Sequence, residues 1–379
     1  MKRVVSVDDL RRHARRAMPR IVFDNVDSAA GDERGRDRNT ADLDAVLLRV
    51  RNLCNVEDIR LETTLFGRVW DRPFGICPMG LANLFWADTD ENLVRAAVAA
   101  GLPYCIATPG STSLERIAEV GGDNAWFQLY FGGDREIAAD LVRRADAAGY
   151  ATLVLTVDTP VSPRSRRDKR NGFGAPPRLP PRTAIDIARH PRWALATARA
   201  GVPKLATMAR YTGSASLDGQ ATYAGGMSSA SLDEEFVTWL RGLWTGNLVV
   251  KGVTEAEDAA RALAVGADAI WVSNHGGRTL QSAPSTISVV GEIRSVVGDD
   301  VPLLLDGGIR TGEHIAKALA AGADFVMAGR PWAFAAAAGR RAAIDELIGL
   351  WSSELAATMA LLGCTSIADL DGSVLRSRE

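Results

Sequence analysis

Short apolar runs recur along the chain from residue 70 onward, and each is bounded by glycine, proline or charged residues. Eight such runs occupy residues 73–79, 103–108, 125–130, 152–158, 247–252, 269–274, 301–306 and 323–329. Alanine-rich amphipathic segments such as ENLVRAAVAAG and GEHIAKALAAGA separate them, and each ends in a glycine that terminates a helix at little cost. The pattern predicts eight strands that alternate with helices.

The predicted strands are almost continuously apolar, which indicates that both of their faces are covered. Alternation with helices favours a parallel sheet, which can be an open doubly wound sheet or a closed barrel. Eight units of similar size, with polar or ionisable residues at the strand ends, favour closure. The predicted fold class is therefore α/β, a (β/α)8 TIM barrel.

Two segments lie outside this repeat. Residues 1–69 predict an N-terminal helical cap, with its clearest helix in VDDLRRHARRAM and a hairpin in LETTLFGRVW. Residues 159–245 make the connection after the fourth strand far longer than an ordinary loop, and they are rich in Pro, Gly, Ser and Arg. We expect this long insertion to lie on the active-site face, and we interpret residues 1–379 as one domain.

Composition narrows the class of protein. The 379 residues are 47% hydrophobic and 24% charged, with a formal net charge of −2, which is typical of a globular enzyme and argues against a nucleic-acid partner. The four cysteines lack metal-ligand spacing, and no apolar stretch reaches the ~18 residues of a membrane span. We expect no metal, no integral membrane segment and a cytoplasmic location, while peripheral membrane attachment stays open.

Chemistry in such a barrel takes place where the strands end, and polar residues concentrate there. They are Gln128 and Tyr130 after the third strand, Thr156 and Asp158 after the fourth, Lys251 after the fifth, Ser273, Asn274, His275 and Arg278 after the sixth, Asp306, Gly307, Gly308 and Arg310 after the seventh, and Gly329 and Arg330 after the eighth. Glycines let backbone N–H groups approach an anion, and the two arginines add charge. The last two sets therefore predict a phosphate site.

His275 is one of four histidines and directly follows a strand, with two glycines after it. We interpret it as a catalytic base whose imidazole is oriented by Asp158, although a carboxylate in that place also occurs as a simple loop cap. Lys251 ends an apolar strand and needs a negative partner there. The N1/O2 edge of a reduced flavin would supply one.

Together the motifs resemble those of the FMN-dependent α-hydroxy acid oxidases and dehydrogenases, a family that includes glycolate oxidase, L-lactate dehydrogenase and mandelate dehydrogenase. They are WFQLY (126–130), LVLTVDTP (153–160), RDKRNGF (167–173), KG (251–252), SNHGGR (273–278), APSTI (283–287), DGGIRTG (306–312) and AGRP (328–331). The resemblance covers nearly the whole chain, and SNHGGR with DGGIR is its most specific part. It implies FMN as cofactor, a small-molecule 2-hydroxy acid or derivative as substrate, and a homotetramer.

The resemblance also implies roles for individual residues. The flavin would be contacted by Pro78, Met79, Gly80, Thr108, Gln128, Thr156, Lys251 and Ser273, and its phosphate by Asp306, Gly307, Gly308, Arg310, Gly329 and Arg330. His275 would accept a proton from the substrate, Arg278 would bind the substrate's carboxylate or carbonyl oxygen, and Tyr130 would bind its hydroxyl side. Hydride transfer and carbanion formation are both compatible with these roles.

Several positions that would contact the substrate depart from the family pattern. Asn25 stands where relatives have a tyrosine for the substrate carboxylate, and Ser165 stands where they have a second arginine, with Arg164 and Arg166 on either side. Pro109 occupies a position that sets substrate size. Each lost charge-assisted contact would weaken carboxylate binding by roughly 1.5–3 kcal/mol.

These departures lead us to expect a carboxylate-modified 2-hydroxy or 2-amino compound as substrate, such as an ester, an amide or a carrier-bound acid of secondary metabolism. One alternative is an ordinary lactate- or mandelate-type dehydrogenase or oxidase that binds its acid through an arginine of residues 164–170. Others are an isomerase on the same flavin barrel and a flavin-binding scaffold without activity. The electron acceptor is left open.

Overall fold

Helices and a hairpin precede the first strand of the central sheet, as the sequence predicts. The computed structural model describes residues 4–131, 133–161, 165–173, 180–211 and 231–376. The first elements are α1 (Val7–Ala17), α2 (Arg20–Asp27), α3 (Arg34–Ala45), β1 (Leu47–Leu48), β2 (Thr63–Leu65) and β3 (Arg68–Trp70). β2 and β3 pair antiparallel around Phe66 and Gly67, which both have the positive φ that suits a tight hairpin turn. The helical cap and the hairpin are therefore confirmed.

Eight parallel strands close into a barrel. They are β4 (Phe74–Ile76), β5 (Tyr104–Ala107), β6 (Ala125–Leu129), β7 (Thr152–Thr156), β8 (Asn247–Val253), β9 (Ala269–Val272), β10 (Leu303–Leu305) and β11 (Phe325–Ala328). Each strand pairs with its neighbours in chain order, and β11 pairs with β4 to close the ring. The strands are almost fully buried because helices cover their outer faces, so the predicted (β/α)8 barrel is confirmed.

Two apolar layers result from the alternation of side chains along the strands. Trp126, Trp271 and Phe325 are among the residues that fill the barrel, whereas a larger cluster outside joins the strands to the helices. Trp70 of the hairpin packs edge-on against Trp126 and Phe325, at centroid distances of 6.0 and 6.3 Å. Trp126 and Phe325 lie at the N-terminal ends of their strands. The hairpin therefore closes the N-terminal end of the barrel, opposite the C-terminal strand ends that carry the polar residues.

Helices follow the strands in the predicted order. They are α4 (Thr89–Ala99), α5 (Leu114–Gly121), α6 (Arg135–Ala147), α7 (Arg166–Asn171), α8 (Pro181–Ala188), α9 (Pro191–Ala200), α10 (Glu234–Leu243), α11 (Ala256–Ala264), α12 (Thr286–Val297), α13 (Gly312–Ala320) and α14 (Arg330–Leu362), and a last strand, β12 (Leu375–Arg376), pairs with β1. Gly101, Gly149, Gly266 and Gly322 follow α4, α6, α11 and α13 with positive φ. These glycines end the alanine-rich helices as predicted.

The long connection after β7 contains α7, α8 and α9 in its described part, and α10 then leads into β8. Residues 162–164, 174–179 and 212–230 of the predicted insertion lie outside the described residues. α7 packs against α2 of the N-terminal cap. The insertion and the cap are therefore in direct contact.

The N-terminal cap is fastened to the strand ends by paired amides and by close backbone contact. Asn39 of α3 and Asn274 after β9 exchange two hydrogen bonds of 2.8 Å through their buried side chains. Gly277 has φ +76°, and an added Cβ would stand 2.7 Å from the carbonyl carbon of Gly35. Since both conditions require glycine, position 277 is a tight joint between the cap and the barrel.

Gly277→Ala is expected to destabilise the protein more than Gly67→Ala, because Gly67 has a similar φ of +71° but open space around its Cβ position. Both variants should lose about 1 kcal/mol to the positive φ. Overpacking should cost Gly277→Ala a further ~1–3 kcal/mol. Urea denaturation followed by far-UV circular dichroism measures the difference, and equal losses would show that the cap is loosely held at this point.

Candidate active site

A cavity of about 360 Å³ opens where the strands end, which is a size typical of small-molecule sites. The predicted site residues that line it are Asn25, Pro78, Met79, Gly80, Pro109, Tyr130, Thr156, Lys251, His275, Arg278, Asp306, Gly307, Gly308, Arg310, Gly329 and Arg330. Thr108, Gln128, Asp158 and Ser273 stand behind this wall and hydrogen-bond to residues that line it. Ser165 is not part of the cavity wall.

His275 lies between a carboxylate and a phenol. Its Nδ1 donates to Asp158 Oδ1 at 3.1 Å, and its Nε2 lies 3.3 Å from the Tyr130 hydroxyl. Although burial opposes it, the neighbouring His275 lowers the pKa of Asp158, so the carboxylate is ionised. The bond to Asp158 places the ring hydrogen on Nδ1. The lone pair on Nε2 is thereby available to accept a proton.

A strip of hydrogen bonds connects the second, third and fourth barrel strands. Thr108 Oγ1 donates to the Gln128 carbonyl at 2.6 Å and accepts from the Tyr130 backbone N–H at 2.9 Å. Gln128 Nε2 donates to Thr156 Oγ1 at 3.0 Å. Burial, reinforced by the charge of Asp158, raises the pKa of Tyr130. The strip therefore fixes Tyr130 in place as a neutral phenol.

Lys251 and Asp306 form an ion pair inside the top of the barrel. Their side chains are 5% and 8% exposed, and Lys251 Nζ lies 3.3 Å from Asp306 Oδ2. Ser273 Oγ accepts from Lys251 at 2.8 Å and donates to Asp306 Oδ1 at 2.8 Å. Burial would lower the pKa of Lys251, but the charges of Asp306 and Asp158 outweigh it and raise that pKa. The ammonium group is therefore charged at all ordinary pH values.

The turn after β10 combines two glycines with a buried arginine. Gly307 and Gly308 have φ of +104° and +80°, and an added Cβ at Gly308 would meet the Asn39 carbonyl oxygen at 2.5 Å. Burial lowers the pKa of Arg310 to about 10. Among the described residues its guanidinium donates to the carbonyl of Ile309 at 2.7 Å and forms no ion pair. A buried cation beside such a turn suits an anionic group.

Arg278 and Arg330 both donate to main-chain carbonyls at the end of α2. Arg278 Nη1 reaches the Asn25 carbonyl at 2.8 Å, whereas Arg330 reaches those of Val26 and Ser28 at 3.1 and 2.8 Å. These carbonyls carry the negative end of the helix dipole, which attracts cations. Burial lowers the pKa of both arginines. The two side chains therefore join the cap to the cavity wall.

The structure gives Ser165 a different neighbourhood from that of a substrate ligand. Its Oγ accepts from the Asp168 backbone N–H, which caps α7, and lies 2.8 Å from the hydroxyl of Ser28. Arg166 donates to Asp32, and Arg167 binds Asp24, Asp27 and Glu33 at 2.6–3.0 Å. Both arginines face the cap, and neither lines the cavity. Arg164 lies outside the described residues.

Two residues of this region were missed by sequence reasoning. Cys77 lines the cavity and lies 3.5 Å from Asp306 Oδ2, but no motif marks it. Asp168 accepts a hydrogen bond of 3.3 Å from the Asn25 side chain. The motif RDKRNGF held a usable signal, because Asp168 is a carboxylate among three cationic residues and such a carboxylate is expected to bind a nearby polar group.

The comparisons with known proteins agree with this geometry. The model of the family described as FMN-dependent dehydrogenase matches residues 14–377. L-lactate dehydrogenase of Caulobacter vibrioides (strain NA1000 / CB15N) is 37% identical over 379 residues, covering 99% of this chain and 98% of the relative. (S)-mandelate dehydrogenase of Pseudomonas putida is 36% identical over 372 residues, covering 98% and 94%.

Solved structures give the same result. A structure described as the monotopic membrane protein (S)-mandelate dehydrogenase superposes with a TM-score of 0.95 at 35% identity, covering 99% of this chain and 100% of that one. A mandelate oxidase with (S)-4-hydroxymandelic acid has a TM-score of 0.86 at 35% identity, covering 99% of each chain. The fold and the site thus define a flavin-dependent barrel oxidoreductase that acts on CH–OH groups. The chain belongs to the FMN-dependent dehydrogenase family, and its cofactor is FMN.

Two absences hold for the part of the chain that the structure describes. Within those ranges, no group of three or more His, Cys, Asp or Glu side chains is arranged to hold a metal ion. The helices seen there also lack the combination of length and apolar character that crossing a bilayer requires. Cys54, Cys77, Cys105 and Cys364 are all free thiols.

Lys251→Met is expected to lower the free energy of unfolding by about 3–5 kcal/mol, because it leaves Asp306 as a buried charge without a counterion. Lys317→Met is the matched control, since its side chain is 6% exposed but its partner Glu313 is 54% exposed. That variant should lose no more than about 1 kcal/mol. Urea denaturation of the flavin-free proteins measures both values. A similar loss in the two variants would show that the burial of the carboxylate partner does not matter.

Proposed function

We propose that the protein oxidises 2-hydroxy compounds with His275 as the base. The observation that carries this proposal is the contact series from Asp158 through His275 to Tyr130, at 3.1 and 3.3 Å, on the wall of the cavity. The substrate loses two electrons and two protons, and Nε2 of His275 takes the hydroxyl proton. Asp158 stabilises the imidazolium that results. When bound, FMN supplies the two-electron acceptor.

The features of the cavity wall fit FMN, and we propose which residues hold it. Gly307, Gly308 and Arg310 would bind the phosphate, because they combine a glycine turn of positive φ with a buried cation. Lys251 would face the flavin edge that gains negative charge on reduction. At Gly329 an added Cβ would meet its nearest neighbour, Cys77, only at 3.7 Å, which leaves room beside the backbone. The other proposed contacts are Pro78, Met79, Gly80, Thr108, Gln128, Thr156, Ser273, Asp306 and Arg330.

We propose further that the substrate carries a modified carboxylate. On the wall beside Tyr130 and His275, Arg278 is the cation that can meet the substrate head. Ser165 caps α7 and Arg167 is bound to three carboxylates of the cap, so neither supplies the second charge-assisted contact. A carboxylate then forgoes roughly 1.5–3 kcal/mol for each missing ligand. Pro109 lines the same cavity and is proposed to shape the space for the substrate's side chain.

An ordinary lactate- or mandelate-type dehydrogenase is the second candidate. The names of the similar proteins favour it, as does the retention of Tyr130, His275 and Arg278 around one cavity. In that case Arg278 would hold the substrate carboxylate together with an arginine of residues 164–170, of which Arg164 lies outside the described residues. Both candidates place the whole catalytic apparatus in one domain, which is how we interpret residues 1–379.

Asp158→Asn should slow reduction of the bound flavin by about 10²–10⁴-fold, because the imidazole loses the carboxylate that orients it as a base. Asp44→Asn is the matched control, since Asp44 also accepts a hydrogen bond from a histidine, His314, at 2.8 Å, and is not part of the cavity wall. Anaerobic stopped-flow absorbance with a reducing substrate gives the rate. Equal rates in the two variants would contradict the assigned role of His275.

The substrate class is tested by comparing L-mandelate with its methyl ester as anaerobic reductants of the holoenzyme. The modified-carboxylate proposal expects the ester to reduce the flavin at least about tenfold more efficiently, which corresponds to one charge-assisted contact. Faster reduction by the free acid would instead support the ordinary dehydrogenase.

Assembly and location are proposed from the resemblance and from one surface. We propose a homotetramer in the cytoplasm, with the outer face of α8 and α9 against a membrane surface. Ile185 of α8, Leu195 of α9 and Val202 just after α9 are 55%, 51% and 54% exposed, and Arg189 and Arg192 lie between Ile185 and Leu195 in the chain. Mass photometry tests the tetramer, and particles of four subunits are expected. Fractionation tests the membrane contact, and the protein should stay on the membranes after a salt wash.

A further inference from the structure

Asn25 of α2 lies on the cavity wall, and Asp168 of α7 lies directly behind it. We infer that they select a carboxamide with a free N–H group, so that the substrate is a 2-hydroxy carboxamide oxidised to the 2-oxo carboxamide. This inference rests on the proposed function, because it names the modification that the carboxylate carries. In the reaction the amide is unchanged, while the CH–OH group loses its hydroxyl proton to His275 and its C–H hydrogen together with two electrons, for which FMN would be the acceptor.

The side chain of Asn25 presents an acceptor to the cavity. Asn25 lies in the last turn of α2 and lines the cavity together with Tyr130 and Arg278. Its Nδ2 donates to Asp168 Oδ2 at 3.3 Å. One N–H of Nδ2 is directed to Asp168, and the amide oxygen Oδ1 is the acceptor that this side chain has for a ligand. An oxygen acceptor repels a carboxylate and accepts a hydrogen bond from an N–H group.

Asp168 opposes the charge of Arg278. It stands behind Asn25 in α7, and its Oδ1 is buried with no hydrogen-bond partner among the described residues. Burial raises the pKa of Asp168 to about 6, against the opposing effect of Arg278. Above that pH one negative and one positive charge face each other across Asn25. The head of the cavity is then close to neutral, which suits a neutral polar group better than an anion.

The available contacts distinguish the possible head groups. Arg278 already gives Nη1 to the carbonyls of Asn25, Val26 and Ser28, so it offers its remaining N–H groups to one substrate carbonyl oxygen. A primary or secondary amide satisfies Arg278 with its oxygen and Asn25 Oδ1 with its N–H. An ester or a tertiary amide satisfies only Arg278. A carboxylate also satisfies Arg278, but it has no N–H group to donate to Asn25 Oδ1.

The first experiment compares four reductants that share one side chain, using the holoenzyme and anaerobic stopped-flow absorbance. They are L-mandelamide, N,N-dimethyl-L-mandelamide, methyl L-mandelate and L-mandelate. We expect the primary amide to be most efficient, by about tenfold over the ester and the tertiary amide. If these three react alike and faster than the acid, the modified-carboxylate proposal stands and the N–H inference is wrong. If the acid is fastest, both are wrong.

Binding of the products gives a second readout that needs no turnover. Phenylglyoxamide and phenylglyoxylate should shift the flavin absorbance of the oxidised holoenzyme, with about tenfold tighter binding of the amide. Should none of the four reductants bleach the flavin, this titration decides the matter. Tighter binding of phenylglyoxylate, or no binding of either compound, would overturn the inference.

Asp168→Asn tests the charge balance directly. Removing the negative charge leaves Arg278 uncompensated, so the efficiency ratio of acid to amide should rise about tenfold or more at pH 8. Asp32→Asn is the matched control, because Asp32 also belongs to the cap region but is 50% exposed and pairs with Arg166 away from the cavity. No change of the ratio in Asp168→Asn, or the same change in both variants, would contradict the inference.

The wild-type ratio should also depend on pH. Asp168 is protonated below about pH 6, which removes its charge, so the acid-to-amide ratio should rise as the pH falls from 8 to 5. The charged groups that face Asp168 are Arg278 and Asp24, and its hydrogen-bonding neighbours are Asn25 and Ser165. Any effect of pH on the oxidation step itself acts on both substrates and cancels in the ratio. A flat ratio in the wild type, or an equally steep one in Asp168→Asn, would overturn this account.

Discussion

A lysine charge held inside the barrel is the constraint on which the rest of the site depends. Lys251 of β8, Ser273 after β9 and Asp306 after β10 come from three successive strands and meet at 2.8–3.3 Å. Taking an ammonium group out of water costs several kcal/mol unless its partners are close. The three strand ends must therefore keep their register. His275 follows Ser273 and donates its backbone N–H to the Ser273 hydroxyl at 3.1 Å, so the same network positions the base.

The cap is coupled to the site by the arginines that a ligand would also use. Arg278 and Arg330 hold the carbonyls at the end of α2, and that helix end places Asn25 in the cavity wall. A change in the cap therefore moves the substrate head as well. Asn25 and Arg278 are 253 positions apart in the chain and yet line the same cavity.

The sequence predicted the features that depend on local pattern. It could not predict those that depend on how the N-terminal cap and the long insertion pack against each other and against the barrel. Apolar runs located all eight strands. The first strand is shorter than the predicted run 73–79: it ends at Ile76, because the chain leaves the sheet at Cys77 and lines the cavity from there. The motifs located the strand-end residues around one cavity. The contacts of Asn25 and Arg167 join residues more than 130 positions apart, and no periodicity encodes them. The sequence showed that Ser165 stands where relatives have an arginine. It did not show that the neighbouring Arg166 and Arg167 bind carboxylates of the cap.

Those partners bear on whether Arg167 can serve a substrate carboxylate. Arg167 contacts Asp24, Asp27 and Glu33, and the first two are only 5% and 2% exposed. Turning it into the cavity would leave buried carboxylates with less compensation, at a cost of about 3–5 kcal/mol. A single charge-assisted contact to the substrate would return only about 1.5–3 kcal/mol. The acidic cap therefore retains this arginine, and the substrate head meets Arg278 without its help.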